Sequence, residues 1–229
     1  MPHDSDTRLV HTSSLGECWL ASIATVLQNG QTHHDEDVEI RELLGLTVHI
    51  SEPKTHDPLI DAFGDRAVIN RTLAKFAKGA EMPDRPFTYG ACIYSHDGIN
   101  QFEWLVGRLQ AKRETKSATI CLLTAGSRAR NLPCLTTLDA KIRDARLELQ
   151  FLFRSQNIFG RQYANLLALA RLQAELATRC DVATGGLRGY IASAHIYSFD
   201  VIEARRILSG DCECIEDRYY QEGPASIRC

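Results

Sequence analysis

The segment Arg146 to Phe153, RLELQFLF, constrains this chain most. Leu147, Leu149, Phe151 and Phe153 recur at every second position, so an extended backbone places all four on one face. A strand with one such face has its register set by the need to bury it. The segment Cys134 to Ile142 reads as its partner, with Asp144-Ala145 between the two as the turn of a hairpin. A second segment, Asn165 to Arg179 (NLLALARLQAELATR), is long and apolar enough to be a central helix.

Other elements gather around these two. Cys18 to Leu27 reads as a helix closed by Asn29-Gly30. Gly45 to Ser51 alternates and reads as a strand ended by Pro53. Helices are expected over Asp65 to Phe76 and Ile99 to Gln110, with a loop over Asp84 to Tyr89. Ala118 to Thr124 reads as a buried strand, followed by a loop of small and basic residues to Leu132. Gly185-Gly186 is expected to break the chain before a strand over Tyr190 to Ser198 and a short helix over Val201 to Leu208. Strands and helices alternate irregularly, which indicates an α+β fold over a doubly wound sheet. No G-x-G-x-x-G or Walker A sequence occurs, so dinucleotide and P-loop readings fall away. No repeat is present.

The chain has 229 residues, 44% of them hydrophobic, which is enough for one substantial core and favours a single domain over 1–229. Within it, 1–110 forms an N-terminal part, 111–208 a core and 209–229 a polar, irregular tail. The net charge of −3 gives no sign of a nucleic-acid scaffold or a polybasic membrane anchor, so an anionic ligand needs a local Arg cluster. No apolar run approaches the ~18 residues of a membrane span. The N-terminal MPHDSDTRLVH lacks the basic-then-apolar order of a signal peptide, and a cytoplasmic protein is expected. Eight cysteines stand at 18, 92, 121, 134, 180, 212, 214 and 229. Disulfides do not suit that compartment. Cys212 and Cys214, the one close pair, have no second pair for zinc, so no metal is expected. Most of the cysteines read as small buried hydrophobes.

Polar residues interrupt the apolar elements at four places. These are Pro133-Cys134 at a strand start, Arg154-Ser155-Gln156-Asn157 at a strand end, Asn165 at the start of the apolar helix, and His195-Ile196-Tyr197, whose His and Tyr share a face. Singly, each has a bland reading: a core thiol, a solvated turn, a helix cap, a structural pair. Their order and spacing say more. The pattern is Pro-Cys, a hairpin, Arg-Ser with an Asn eleven residues after the Arg, an apolar helix, then His-x-Tyr. It runs PCLTTLDAKIRDARLELQFLFRS, QNIFGRQYAN, LLALARLQAEL and SAHIYS. This resembles the thymidylate synthase and pyrimidine nucleotide hydroxymethylase superfamily. Upstream, LLGLTVHISEP and FTYGACIY are similar to the shorter archaeal synthases and phage deoxycytidylate hydroxymethylases.

The resemblance implies a thymidylate synthase-like fold, a mixed sheet with flanking helices that dimerises through the sheet, and a homodimer whose interface the apolar hairpin faces would supply. It implies a pyrimidine nucleoside monophosphate as substrate and 5,10-methylenetetrahydrofolate as one-carbon donor. By motif match Cys134 is the nucleophile that adds to C6 and activates C5. A thiol is mostly protonated at neutral pH and needs a nearby cation; Arg154 matches the phosphate-binding Arg and is the candidate, with Ser155 adding a hydroxyl. A planar guanidinium suits two phosphate oxygens. His195 and Tyr197 match the pair that binds the sugar hydroxyl. Asn165 matches the residue that reads the pyrimidine edge. Its amide both donates and accepts, which tilts the reading to uracil, where Asp favours cytosine in the hydroxymethylases.

The chain departs from the family pattern elsewhere. Thr72 aligns where the family has a proton-handling Glu, and a threonine is no carboxylate acid/base; Glu81 or Asp65 could substitute. The paired Arg contributed across the dimer aligns near Lys116, with Arg128 and Arg130 available to replace the lost charge. Leu135 follows the nucleophile in place of a polar residue. Asn157 stands where an Asp positions the pyrimidine. The tail EGPASIRC does not match the folate-closing terminus. The nucleotide half is kept and the one-carbon half altered. A folate-dependent C5 methylase or hydroxymethylase, a folate-independent C5 enzyme and a non-catalytic nucleotide-binding subunit remain open, as does a ribonucleotide substrate.

Overall fold

A computed structural model describes residues 8–82, 87–127 and 132–210. In chain order its elements are β1 (Leu9–Thr12), α1 (Leu15–Asn29), β2 (Gln31–Asp35), β3 (Val38–Ile50), α2 (Pro58–Phe63), α3 (Arg66–Phe76), α4 (Tyr89–Tyr94), α5 (Gln101–Ala111) and β4 (Thr119–Cys121). They continue with β5 (Leu135–Arg143), β6 (Arg146–Phe153), β7 (Gln156–Asn157), α6 (Gln162–Arg179), β8 (Ala183–Tyr197), a 3-10 turn (Ser198–Asp200) and α7 (Val201–Ser209). The strands form one mixed sheet in the order β1-β3-β8-β6-β5-β4, with β2 on β3 and β7 on β8. Strands β1/β3 and β6/β8 run parallel, while β3/β8, β5/β6 and β4/β5 run antiparallel. The α+β class inferred from the irregular alternation is the one observed.

The hairpin forms as its alternation demands. Asp144 and Ala145 both take positive φ, 50° and 57°, the geometry of a tight two-residue turn whose twist matches its strands. Leu147, Leu149, Phe151 and Phe153 are all buried. Helix α6 lies on that face: Gln173 Nε2 donates to the Leu147 carbonyl at 2.8 Å and to the Gly186 carbonyl at 3.0 Å. The apolar hairpin face is therefore consumed inside the protomer and is not the interface expected of it. Helices α1 and α5 pack on β3 and on β4/β5. The opposite sheet face carries the row Leu9, Thr47, Tyr190, Leu152, Thr137, Cys121, paired strand to strand. With Leu44, this face leaves Leu9, Tyr190 and Leu152 exposed.

Helix ends follow local chemistry. Ser14 and Glu17 form a reciprocal capping box on α1. Asp65 Oδ1 accepts from the Ala67 and Val68 amides at 2.7 and 3.2 Å and starts α3. Gly185 and Gly186 do not break the chain; they lie inside β8. The reason is a close approach, since a Cβ on Gly185 would strike the Glu148 carboxylate from the neighbouring strand. Glu148 Oε1 in turn accepts from the Gly186 amide at 3.1 Å. The expected β3, β8 and α6 are all longer than their sequence patterns, and the expected 118–124 strand is shorter. Most of the tail expected to be irregular, 211–229, lies outside the described residues.

Candidate functional site

Three of the four sequence clusters meet at one end of the sheet, and the fourth, Asn165, lies in the first turn of α6. Cys134 immediately precedes β5, and Arg154 immediately follows β6. The antiparallel ladder joins them: the Arg154 amide donates to the Cys134 carbonyl at 2.9 Å. The Arg154 side chain folds back over the same segment, donating from Nε to the Pro133 carbonyl at 3.2 Å and from Nη2 to the Leu132 carbonyl at 2.9 Å. A guanidinium is thus held against the backbone that carries the thiol, and it stays exposed. Cys134 is half-buried, whereas Cys18, Cys92 and Cys180 are buried. Burial pushes the Cys18 thiol up to about 12 and also raises Cys92 and Cys180, so those three are inert core groups. Cys121 is exposed, and Cys212, Cys214 and Cys229 lie outside the described residues.

The chain leaving β6 runs directly to β8. Asn157 pairs with His195 across β7/β8, and the Ile158 amide donates to the His195 carbonyl at 2.8 Å. Ser155 Oγ lies 3.4 Å from His195 Nδ1. His195 and Tyr197 share a face as expected, with ring centroids 5.2 Å apart in an edge contact. Burial lowers the His195 pKa, opposed by the charges of Asp35 and Glu42 and by the Ser193 backbone, so the imidazole is neutral above its ordinary range.

Asn157 Oδ1 accepts from the Gly160 amide at 2.8 Å and closes the turn into α6. That helix starts at Gln162 with Arg161 as its cap residue, so Asn165 is not the cap; its amide donates to the Arg161 carbonyl at 3.1 Å within the first turn. From Gln162 to Ala170 every residue but Asn165 is buried. A half-buried carboxamide on an otherwise sealed helix end is a break that packing alone does not call for.

Other expected residues stand apart from this end or lie outside the described residues. Arg128 and Arg130 lie outside the described residues. Lys116 is exposed ahead of β4, where Ala118 and Thr119 pair with the far part of β5 near Asp139 and Ala140. Asp139 is five residue steps along the strand from Cys134, roughly 17 Å, so Lys116 does not reach Cys134 of its own chain. Thr72 is buried in α3. Asp65 sits about two helical turns before it, roughly 10 Å along the axis, with Oδ1 committed to the cap. Glu81 is exposed beyond the end of α3. Neither carboxylate occupies the Thr72 position.

Two residues escaped the sequence reading. Tyr89, opening α4, accepts from the Leu135 amide at 3.3 Å, next to Cys134. Asp35 on β2 accepts the Tyr197 hydroxyl proton at 3.1 Å. No local pattern marks either; FTYGACIY held the one signal available for Tyr89.

Among the described residues, no group of three or more His, Cys, Asp or Glu could hold a metal, and no helix is long and apolar enough to cross a membrane. The family model described as thymidylate synthase matches residues 63–213, more than half of the 229. A protein named "Putative thymidylate synthase" from Methanococcoides burtonii is 28% identical over 215 residues, covering 92% of this chain and 99% of its own. Proteins of the same name from Methanosarcina acetivorans and Methanopyrus kandleri are 27% and 28% identical, covering 89% and 84% of this chain and 95% and 94% of theirs.

Proposed function

The chain belongs to the thymidylate synthase family, and from that premise we propose that it modifies C5 of a pyrimidine nucleoside monophosphate through covalent addition of the Cys134 thiolate at C6. The observation that supports this most is the convergence of Cys134, Arg154-Ser155, Asn157, His195 and Tyr197 on one sheet end, tied by the Arg154 to Cys134 and Ile158 to His195 backbone bonds. Each residue type suits its place. Arg154 and Ser155 supply a fork and a hydroxyl for the phosphate. Neutral His195 and Tyr197 meet the sugar hydroxyl. Asn165 matches both N3–H and O4 of uracil.

The chemistry follows from the pair of bonds at the ring. As the Sγ–C6 bond forms, the C5=C6 π electrons move onto C5 and O4, and C5 becomes a carbon nucleophile. C5 then takes a proton from solvent or a one-carbon electrophile. Loss of the other C5 proton and cleavage of the C6–S bond restore the ring and the thiolate.

The family's donor, 5,10-methylenetetrahydrofolate, supplies a one-carbon unit when bound. The donor side fits less well than the nucleotide side. Thr72 carries no carboxylate, Asp65 is committed to a cap, and Glu81 is exposed. This mismatch favours a second reading, a C5 enzyme that works without folate.

A homodimer through the outer sheet face belongs to the same proposal, because that face leaves Leu44, Leu152 and Tyr190 exposed. Lys116 of a second copy is then the route by which it reaches a phosphate.

The test is solvent deuterium exchange at C5 of UMP, dUMP, CMP and dCMP, with and without methylenetetrahydrofolate. Exchange that needs Cys134 supports the reading, and folate dependence separates its two forms. Nucleotide binding that survives Cys134→Ala with no exchange in the wild type identifies a non-catalytic binding protein instead.

A further inference from the structure

We propose that Asp35 makes this site selective for ribonucleotides over 2′-deoxyribonucleotides. The inference rests on His195 and Tyr197 as the sugar end of the site.

Strand β2 is the hairpin partner of β3, with Asp35 opposite Val38 and Glu36 turning at φ 53°. Strand β3 pairs on its other side with β8, setting Ile40 opposite Tyr197 and Glu42 opposite His195. This layering brings the last residue of β2 to the end of β8. Asp35 Oδ2 accepts the Tyr197 phenol proton at 3.1 Å. Tyr197 is itself only 4% exposed and is clamped between the His195 edge and the Phe199 ring, which stacks on it at 5.2 Å and 4°. Asp35 is exposed. The exposed carboxylate is therefore bonded to a tyrosine that packs against a ring on either side. Its charge also reaches His195.

The proton count on this pair decides what it can bind. A phenol carries one proton, and here that proton is directed at Asp35. The Tyr197 oxygen is left as an acceptor. A carboxylate has no hydrogen, so it is an acceptor as well. A carboxylate beside the phenol that meets the 3′-hydroxyl calls for a further donor, which the cis 2′-hydroxyl of a ribose supplies. A carboxylate taking ribose hydroxyls is a general solution in nucleotide sites. A deoxyribose offers one hydroxyl and sets a methylene against the carboxylate, which loses water without gaining a bond.

A merely structural role for Asp35, pinning the β2 hairpin, would alter stability without altering the choice of sugar. The ratio of affinities separates the two. Calorimetric binding of UMP, dUMP, CMP and dCMP is to be compared for the wild type, Asp35→Ala and Asp35→Asn, alongside C5 exchange. The expected result is a ribo-over-deoxy preference of about tenfold in the wild type, as one lost hydrogen bond to a charged group predicts. In Asp35→Ala that preference collapses to about twofold or less, and Asp35→Asn, whose amide oxygen still accepts, falls between. Preference for deoxyribonucleotides in the wild type, or a ribose preference that persists in Asp35→Ala, overturns the inference while leaving Cys134-dependent exchange intact. If no nucleotide binds the wild type and no exchange occurs, the proposed function itself falls, and this inference with it.

Discussion

The sheet end that carries Cys134 and the helix that carries Thr72 differ in what their side chains offer. At the sheet end the Arg154 amide bonds the Cys134 carbonyl at 2.9 Å, the Ile158 amide bonds the His195 carbonyl at 2.8 Å, and Ser155 Oγ lies 3.4 Å from His195 Nδ1. In α3 the Asp65 cap and buried Phe76 frame a helix in which Thr72, matched by resemblance to the family's proton-handling Glu, is a buried threonine. Capping and burial depend on residue class and catalysis on one functional group, so a helix with this frame can carry either residue at position 72.

The largest expected break in this contrast is Cys134→Ala. It removes the only group on the sheet end assigned a covalent role, so C5 exchange should fall by at least about a thousandfold, while calorimetry shows nucleotide affinity changed little. Retained exchange would move the nucleophile elsewhere. Next comes Arg154→Ala. It deletes charge-assisted contacts worth roughly 1.5–3 kcal/mol each and should weaken nucleotide binding by about a hundredfold, with Arg154→Lys recovering only part of it for lack of a planar fork. Because Arg154 also caps the Leu132 and Pro133 carbonyls, its loss should loosen the Cys134 segment, visible as faster amide exchange there.

Asn165→Asp is smaller. Exchanging a donor–acceptor amide for a carboxyl should shift the UMP-to-CMP affinity ratio by about tenfold toward cytosine; an unmoved ratio would take Asn165 off the base. The pH effect is smaller again. Burial holds the His195 pKa below the ordinary 6.5, and His49 is lowered too, by burial, Arg188 and His11, against Glu148. The unfolded chain then binds these protons at higher pH than the folded one. Stability is full above pH 6.5 and declines as pH falls through the window beneath it. Thermal melts across that window should show the decline, reduced in His195→Asn. The least effect is expected from Thr72→Val, which should leave C5 exchange within about twofold and stability within about 1 kcal/mol. A large loss of exchange would show that the threonine hydroxyl takes part after all.

Legibility varied with how local the cause was. The β5–β6 hairpin and α6 were readable because alternation and apolar periodicity are set by the residues themselves. Strand β2, QTHHD, was not, because all five residues are exposed and its pairing rests on backbone bonds to β3. Gly185-Gly186 reads as a break because the Leu147 carbonyl and Glu148 carboxylate that crowd Gly185 come from another strand. The apolar hairpin face looked like a dimer surface because nothing in its own segment reveals that α6 covers it.

What the chain determines alone is therefore its α+β class, its helix caps, the faces of its strands, and the order of Cys134, Arg154, Asn165 and His195 that places it in its family. Only the tertiary structure decides which residues stand together. It joins Cys134 to Arg154 through a ladder bond, sets Asn157 opposite His195, sends Lys116 to the far end of the hairpin, and brings Asp35 onto Tyr197. The physical reason is that side-chain chemistry acts over a few ångströms, and strand pairing between distant segments, not position along the chain, determines which groups come within that range.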